Sequence, residues 1–369
     1  ENLYHHISGL AESQPNSPAL LSCDAEGNIL EHYNYQRLKQ AIDKIGSWLT
    51  YDLELRHNDF LGLALHNCTE LLLVSWAAWS LGIVTSPLDV RRDSFKQHVY
   101  KIKLTQPKVL IADKVFAFGE PEIGVRVVDA GQINNLPASK AVKWQNGIDH
   151  MALILFTSGT TAHPKGVQLT LKNLIANADG IRDWFRIMHS DRFLVLLPLH
   201  HINSTSFCLA TLLAGGSIAI PPSYSNSNFW KQTANSRATF ISIVPTICYD
   251  QLSQVEEFNK VRDRLKINRI QIGSAPVVTS DAKKFIEIFK IPLYQGYGQT
   301  ETALRVTGMP LDLDENTKQK LLEENSIGKP MKWAEVAVLN KEGNILPENE
   351  EGEVAVKGPV VMGGYINNS

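Results

Sequence analysis

Six consecutive apolar residues, Met151 to Phe156, run straight into Thr157-Ser158-Gly159-Thr160-Thr161-Ala162-His163-Pro164-Lys165-Gly166. An apolar run of that length bounded by turn residues reads as a buried strand. Open α/β sheets place their ligands at the carboxyl ends of such strands, and the loop that follows is composed to hold an anion. Hydroxyls from Thr157, Ser158, Thr160 and Thr161, backbone N–H groups freed at Gly159 and Gly166, and the charge of Lys165 together satisfy several phosphate oxygens. Pro164 limits the loop's freedom just before the lysine. A Walker loop requires Ser or Thr directly after its lysine; here Gly166 stands there, so that motif is excluded. A plain polar turn between two strands uses the same residue types, and the rest of the chain has to decide between the two readings.

Strand and helix patterns alternate for most of the 369 residues, which favours α/β layers with largely parallel sheets. Strands are expected at 61–65, 109–112, 193–197, 217–220, 239–244, 268–272 and 291–295. Helices are expected over 69–81, stopped at Gly82, after a Ser94 cap and before Pro107, and after a Thr170 cap. In the last of these Leu171, Leu174, Ile175, Ala178, Ile181, Phe185 and Met188 recur at intervals of three and four, as one buried face requires. Pro245 suits the first turn of a helix over 246–255. After about Thr307 the character changes: 335–339 and 353–356 alternate around a turn at 340–343, as in antiparallel structure. The expectation is two stacked α/β subdomains over 1–306 with a cleft between them, followed by a small antiparallel β-barrel over 307–369.

A net charge of -2 gives no electrostatic footprint for nucleic acid, and the basic cluster from Lys101 to Lys108 reads as a solvated helix face. Cys23, Cys68, Cys208 and Cys248 are scattered, without metal-ligand spacing or a disulfide framework. The most apolar segment, 71–84, is interrupted by Ser75 and Ser80 and falls short of a membrane span. No secretory signal pattern opens the sequence. Together these features read as a cytoplasmic protein.

The hydroxyl-rich loop keeps specific company. Pro198-Leu199-His200-His201, Gly273-Ser274-Ala275-Pro276, Gln295-Gly296-Tyr297-Gly298-Gln299-Thr300-Glu301 and a Gly352 to Tyr365 stretch follow it in order. With these motifs the chain resembles the adenylate-forming enzymes: acyl-CoA and aryl-CoA ligases, firefly luciferases and the adenylation domains of peptide synthetases. The resemblance implies activation of a carboxylic acid by ATP and Mg2+, then thioester formation with CoA. It implies that Thr157, Ser158, Gly159, Thr160, Thr161, Lys165 and Gly166 hold the phosphates, that Glu301 and Thr157 serve the metal, and that Thr300 donates to the α-phosphate. Gly273, Ser274, Ala275 and Pro276, with Gln295, Gly296, Tyr297 and Gly298, would form the AMP site, Tyr297 lying against the adenine. Family loops usually carry Gly where Ala162 stands, so the turn here is expected to avoid a strained conformation or to be less pliable.

His201, favoured over His200, would face the incoming carboxylate, with Asn203, Ser204, Val244, Ala303 and Leu304 as acyl-pocket neighbours. The segment from Pro198 to Phe207 contains no acid, so the ammonium of an α-amino acid would be buried without a partner. A fatty or aromatic acid fits better, and Arg305 leaves room for a dicarboxylate. An acyl carrier protein as thiol acceptor, and a non-catalytic binding or scaffold module, are the alternative readings. In the family a Thr-Gly-Asp segment, a hinge and a lid with a catalytic lysine lie beyond the point reached at Ser369. The chain as given is therefore expected to be a shortened form that adenylates poorly.

Overall fold

The computed structural model describes residues 2–113, 123–157 and 164–366. Two large sheets dominate it. The nine-stranded sheet runs, in spatial order, Lys329–Pro330, Leu304–Gly308, Leu293–Gln299, Arg269–Ile272, Phe240–Ile243, Arg192–Leu194, Ser217–Ile220, Pro18–Cys23 and Ile29–Asn34. Its six central strands, from Leu293–Gln299 to Pro18–Cys23, are mutually parallel, and the outer pairings are antiparallel. The seven-stranded sheet runs Gly364–Tyr365, Lys165–Thr170, Met151–Thr157, Val84–Pro87, Phe60–Ala64, Val109–Ala112 and Arg126–Asp129.

Helices fill the space between the sheets. Thr69–Leu81 touches strands of both, as does Leu171–Trp184. The first is buried on every side, which explains why its sequence lacks the polar stripe of a surface helix. It ends where Gly82 takes φ 75°, a left-handed cap that costs glycine little. Ser94 and Thr170 each close a capping box at the start of Phe95–Thr105 and Leu171–Trp184. The shared core between the layers includes Trp76, Trp79, Phe185, Phe193 and Phe207.

Some expectations need correction. The segment after 307 is antiparallel, but among the described residues it closes no barrel: Glu335–Leu339 pairs with Glu353–Lys357 as a two-stranded ribbon, with one further bridge from Leu339 to Ile345. Its other strands extend the two large sheets instead. Met188 is exposed, because the helix stops at Trp184 before its period brings Met188 to the core. The helix after Pro245 is two shorter ones, Pro245–Gln251 and Val255–Val261. Lys101 is no solvated face: it is buried, with its ammonium 2.5 Å from Asp93 and over the ring of Phe156. All four cysteines are free, and burial raises the thiols of Cys23 and Cys248 to about 11 and about 12. Among the described residues no helix is long and apolar enough to cross a membrane.

Candidate active site

Thr157 and Lys165 face each other across the antiparallel pairing of Met151–Thr157 with Lys165–Thr170. Of the phosphate-loop candidates, Ser158, Gly159, Thr160 and Thr161 lie outside the described residues. Lys165 is exposed, with its ammonium 5.0 Å from the ring centre of Tyr365. The Tyr365 hydroxyl donates to Glu301 Oε1 at 2.9 Å. Main-chain bonds fasten the same contact, with Ile366 N donating to Gly166 O and Met362 N to Glu301 O, both at 2.8 Å. The lysine hairpin and the Glu301 turn are thus neighbours, joined through a tyrosine 64 residues away from Glu301 in sequence.

The turn over Thr300–Thr302 leads into strained backbone. Ala303 has φ 54° and Leu304 φ 116°, a region that side-chain-bearing residues occupy only when their surroundings impose it. The surroundings here are two central helices. Asn177 donates to the carbonyls of Thr302 and Arg305 at 3.1 and 2.6 Å, and Ser206 donates to that of Ala303 at 2.8 Å. Opposite them Gly298 is obligatory, since a Cβ there would lie 1.5 Å from the Leu304 carbonyl oxygen. Ala303 and Leu304 are themselves buried.

Gly273 ends Arg269–Ile272, and Ser274 follows at φ 70° with its side exposed, as are Ala275 and Pro276. Ser274 accepts from Asn203 Nδ2 at 3.4 Å, and Asn203 accepts from Ser242 at 2.7 Å, while Ser242 also bonds Gln271. Ser204 is turned inward and donates to Leu197 O at 2.9 Å. Gln295 donates to Asn325 at 2.8 Å. Tyr297 is half-buried and packs against the cluster of Ala176, Val306 and Val360.

Beside these elements lies a cleft of about 310 Å³ whose walls include Asp89, Arg91, Arg92, His200, Tyr224 and Val244. It is His200, rather than the favoured His201, that lines it. His200 Nε2 stands 3.1 Å from Asp89. Burial alone would raise the Asp89 carboxyl, but His200 and the N–H groups of Arg91 and Arg92 outweigh it and hold the group well below the carboxylate range. His201 caps Ile202–Leu213 with its surface open to solvent. The crowded cleft and then the adjacent His200 still push its imidazole below the ordinary histidine range.

Arg305 is the anomaly of the site. It is 1% exposed, yet among the described residues only Nη1 finds an acceptor, the carbonyl of Gly296, while Nε and Nη2 have none. Burial pulls the guanidinium down to about 9. Sequence reading missed Asn177, Ser206 and Asp89, which carry no local signature; it named Tyr365 only as the end of the Gly352 to Tyr365 stretch, without a role.

A sequence profile of AMP-binding enzymes matches residues 9–366. The chain belongs to that family. It is 28% identical to the oxalate–CoA ligase of Arabidopsis thaliana over 98% of its own length and 72% of the ligase's. Over 59% of the chain and 41% of the other protein it is 34% identical to the sulfoacetate–CoA ligase of Cupriavidus necator. Among solved structures, the o-succinylbenzoate CoA synthetase MenE of Bacillus subtilis, in complex with the acyl-adenylate intermediate OSB-AMP, superposes with a TM-score of 0.83 at 25% identity. That match covers 98% of this chain and 71% of MenE. The AMP-binding family therefore accounts for the motif order from the lysine loop to Tyr365.

Proposed function

We propose that the protein activates a carboxylic acid with ATP and transfers the acyl group to a thiol, as an AMP-forming acid–thiol ligase. The observation that carries this reading is the contact between the Lys165 hairpin and the Glu301 turn through Tyr365. It brings a cation and a carboxylate to one tyrosine side chain, which suits a magnesium-bound triphosphate. In the first step a carboxylate oxygen bonds to the α-phosphorus as the bond to the bridging oxygen breaks, and pyrophosphate leaves with the electron pair. In the second the thiol sulfur of CoA attacks the acyl carbon and AMP leaves.

In this reading Lys165 and the residues from Thr157 to Gly166 neutralise the β- and γ-phosphates, and Thr300 donates to the α-phosphate. The half-buried Glu301 carboxylate, with no second acid bonded to it, fits one ligand position of a hydrated Mg2+, and Thr157 is the second candidate. That ion supplies charge neutralisation on the nucleotide. His200 or His201 orients the incoming acid, the glycines at 273 and 296 admit the flat adenylate, and Tyr297 flanks the adenine. The relatives named for oxalate, sulfoacetate and o-succinylbenzoate are ligases of acids with a second acidic group, which widens the class beyond the fatty and aromatic acids suggested by the sequence. The free cysteines are in keeping with a cytoplasmic enzyme.

Acid-dependent ATP–pyrophosphate exchange by the full-length protein tests this reading, with CoA and a phosphopantetheinyl carrier protein as acceptors in the second half-reaction. Exchange lost in Lys165→Ala and Glu301→Gln is the expected result. Absence of exchange with every acid in a broad panel would refute it.

A further inference from the structure

We propose that Asp89, His200 and His201 hold a divalent transition-metal ion of the zinc class on the wall of the cleft, and that an ion held there competes with the incoming acid. The binding itself is independent of the adenylation reading; only the competition rests on it. One donor atom from each of the three residues lies within 4.8 Å of the other two. His200 Nε2 and Asp89 Oδ2 are already 3.1 Å apart, close to the ~3.3 Å that separates two ligands of one tetrahedral ion with bonds of about 2.0–2.1 Å. Yet the two make no hydrogen bond: among the described residues Nε2 has no partner, although its side chain is only 9% exposed. A buried ring nitrogen beside a carboxylate to which it does not donate is costly as it stands. An ion that takes the nitrogen's lone pair and the carboxylate oxygen together removes that cost.

The surroundings orient the donors. Asp89 Oδ1 accepts from Arg91 N and Arg92 N, each at 3.0 Å. These bonds fix the carboxylate and leave Oδ2 for the ion, the outer-shell support that metal-bound carboxylates have. The ring of His201 stands 4.5 Å from that of His200 and lies on the solvent side, so rotation of its side chain closes the remaining gap. Asp89 and His200 both line the cleft of about 310 Å³. An ion therefore reaches them without opening the fold, and three protein ligands leave a position for water or a carboxylate oxygen. Two imidazoles and one carboxylate select a borderline ion over Mg2+ or Ca2+, which take oxygen. Of the nearby cations, Lys101 is paired with Asp93 and the Arg91 guanidinium is turned to the Pro222 carbonyl at 2.9 Å. Arg92 remains, so the site is weaker than a closed one with four protein ligands. An acid whose carboxylate is coordinated there gives up electron density that its attack on the α-phosphorus needs, and the ion occupies the imidazole that orients it.

The test is titration of the metal-free, full-length protein with Co2+, read by visible absorption, and with Zn2+, read by calorimetry. One ion of either kind should bind, the Co2+ form with the visible bands of a histidine-ligated site. Asp89→Asn, which keeps the oxygen that caps Arg91 and Arg92, and His200→Gln should each weaken binding by about 100-fold or more, since outer-shell losses alone cost about 10–100-fold. His66→Gln removes another imidazole of the same cleft, one already bonded to Asp113, and should leave the affinity unchanged. Equal affinity in the unmodified protein, Asp89→Asn and His200→Gln overturns the site, and so does a Co2+ titration without visible bands. In pyrophosphate exchange with free Zn2+ fixed by a metal buffer, the apparent KM for the acid should rise with Zn2+ in the unmodified protein and stay constant in His201→Gln, whatever the basal rate of that variant. A KM independent of Zn2+ in the unmodified protein overturns the competition. If no acid supports exchange, the adenylation reading fails separately, and the metal titrations still decide the site.

Discussion

Replacing Gly298 by alanine isolates the geometry on which the site depends. The added methyl would sit 1.5 Å from the Leu304 carbonyl oxygen and 2.4 Å from the carbonyl carbon. Real contacts of this kind do not fall below about 3.0 Å, so the two strands must separate by well over an ångström locally. Neither neighbour can yield easily, because Leu304 belongs to a backbone that Asn177 and Ser206 already hold in a strained conformation. Overpacking of this sort costs about 1–3 kcal/mol and occasionally more, and the collision with backbone places this case at the upper end. The function should suffer further, since a displacement of about 1 Å at positioned groups costs on the order of 100-fold in rate. Thr300 and Glu301 lie between the two colliding residues in sequence and would move with them. The control is Gly9→Ala, on the exposed face of the helix Leu3–Ser13, where a Cβ meets nothing within 4 Å. It should stabilise by about 0.5–1 kcal/mol. Urea denaturation and pyrophosphate exchange read both variants. Gly298→Ala with unchanged midpoint and unchanged exchange would refute the steric argument.

Tyr365→Phe keeps the ring over Lys165 but removes the donor to Glu301; the KM for MgATP in exchange should rise about three- to tenfold, matching about 1 kcal/mol for one hydrogen bond, with the melting temperature nearly unchanged. Asp191→Ala leaves Arg269, paired with it at 2.9 Å and similarly buried, without its partner, and urea denaturation should show a loss of about 3–5 kcal/mol. Burial raises the Asp191 carboxyl, but the bonds from Arg269, Thr239 and Met188 outweigh it and lower the group. Its stabilisation is therefore complete above the unfolded value of about 4 and is lost as pH falls through the lower folded value, so the gap between unmodified protein and variant should narrow in acid. Asn177→Ala strands the carbonyls of Thr302 and Arg305; a loss of about 2–4 kcal/mol is expected, and adding Leu304→Gly should recover stability without recovering exchange.

What the sequence disclosed is what short-range chemistry controls. The helix Thr69–Leu81 and the strands Val109–Ala112, Ser217–Ile220 and Glu335–Leu339 appear where caps, glycine and periodicity put them. Met188 falls outside the core because the periodicity of Leu171–Trp184 does not extend past the helix end. Barrel closure failed as an expectation because it depends on pairing between distant edges, and here those edges found the two large sheets instead. Lys101 misled for a related reason: its partner Asp93 precedes the helix and folds back onto it, so charge clustering along the chain said nothing about burial. At the site, the motif glycines and Glu301 were legible, whereas Tyr365 and Asn177 act from 64 and 125 residues away from the turn they hold.

That separation explains how the layered fold and the site depend on one another. Leu171–Trp184 is anchored between the sheets by its apolar face, and the same helix extends Asn177 to fix the backbone between Thr302 and Arg305. Ile202–Leu213 does likewise through Ser206, while its first turn supplies Asn203 to the Ser274 turn. The rigid interior therefore holds both the Glu301 turn and the Ser274 turn from two adjacent helices. Strain at Ala303 and Leu304 persists because relaxing it would break bonds to groups that are themselves immobilised by packing. Arg305 inherits this rigidity, since its own main-chain N–H and carbonyl both meet Asn177.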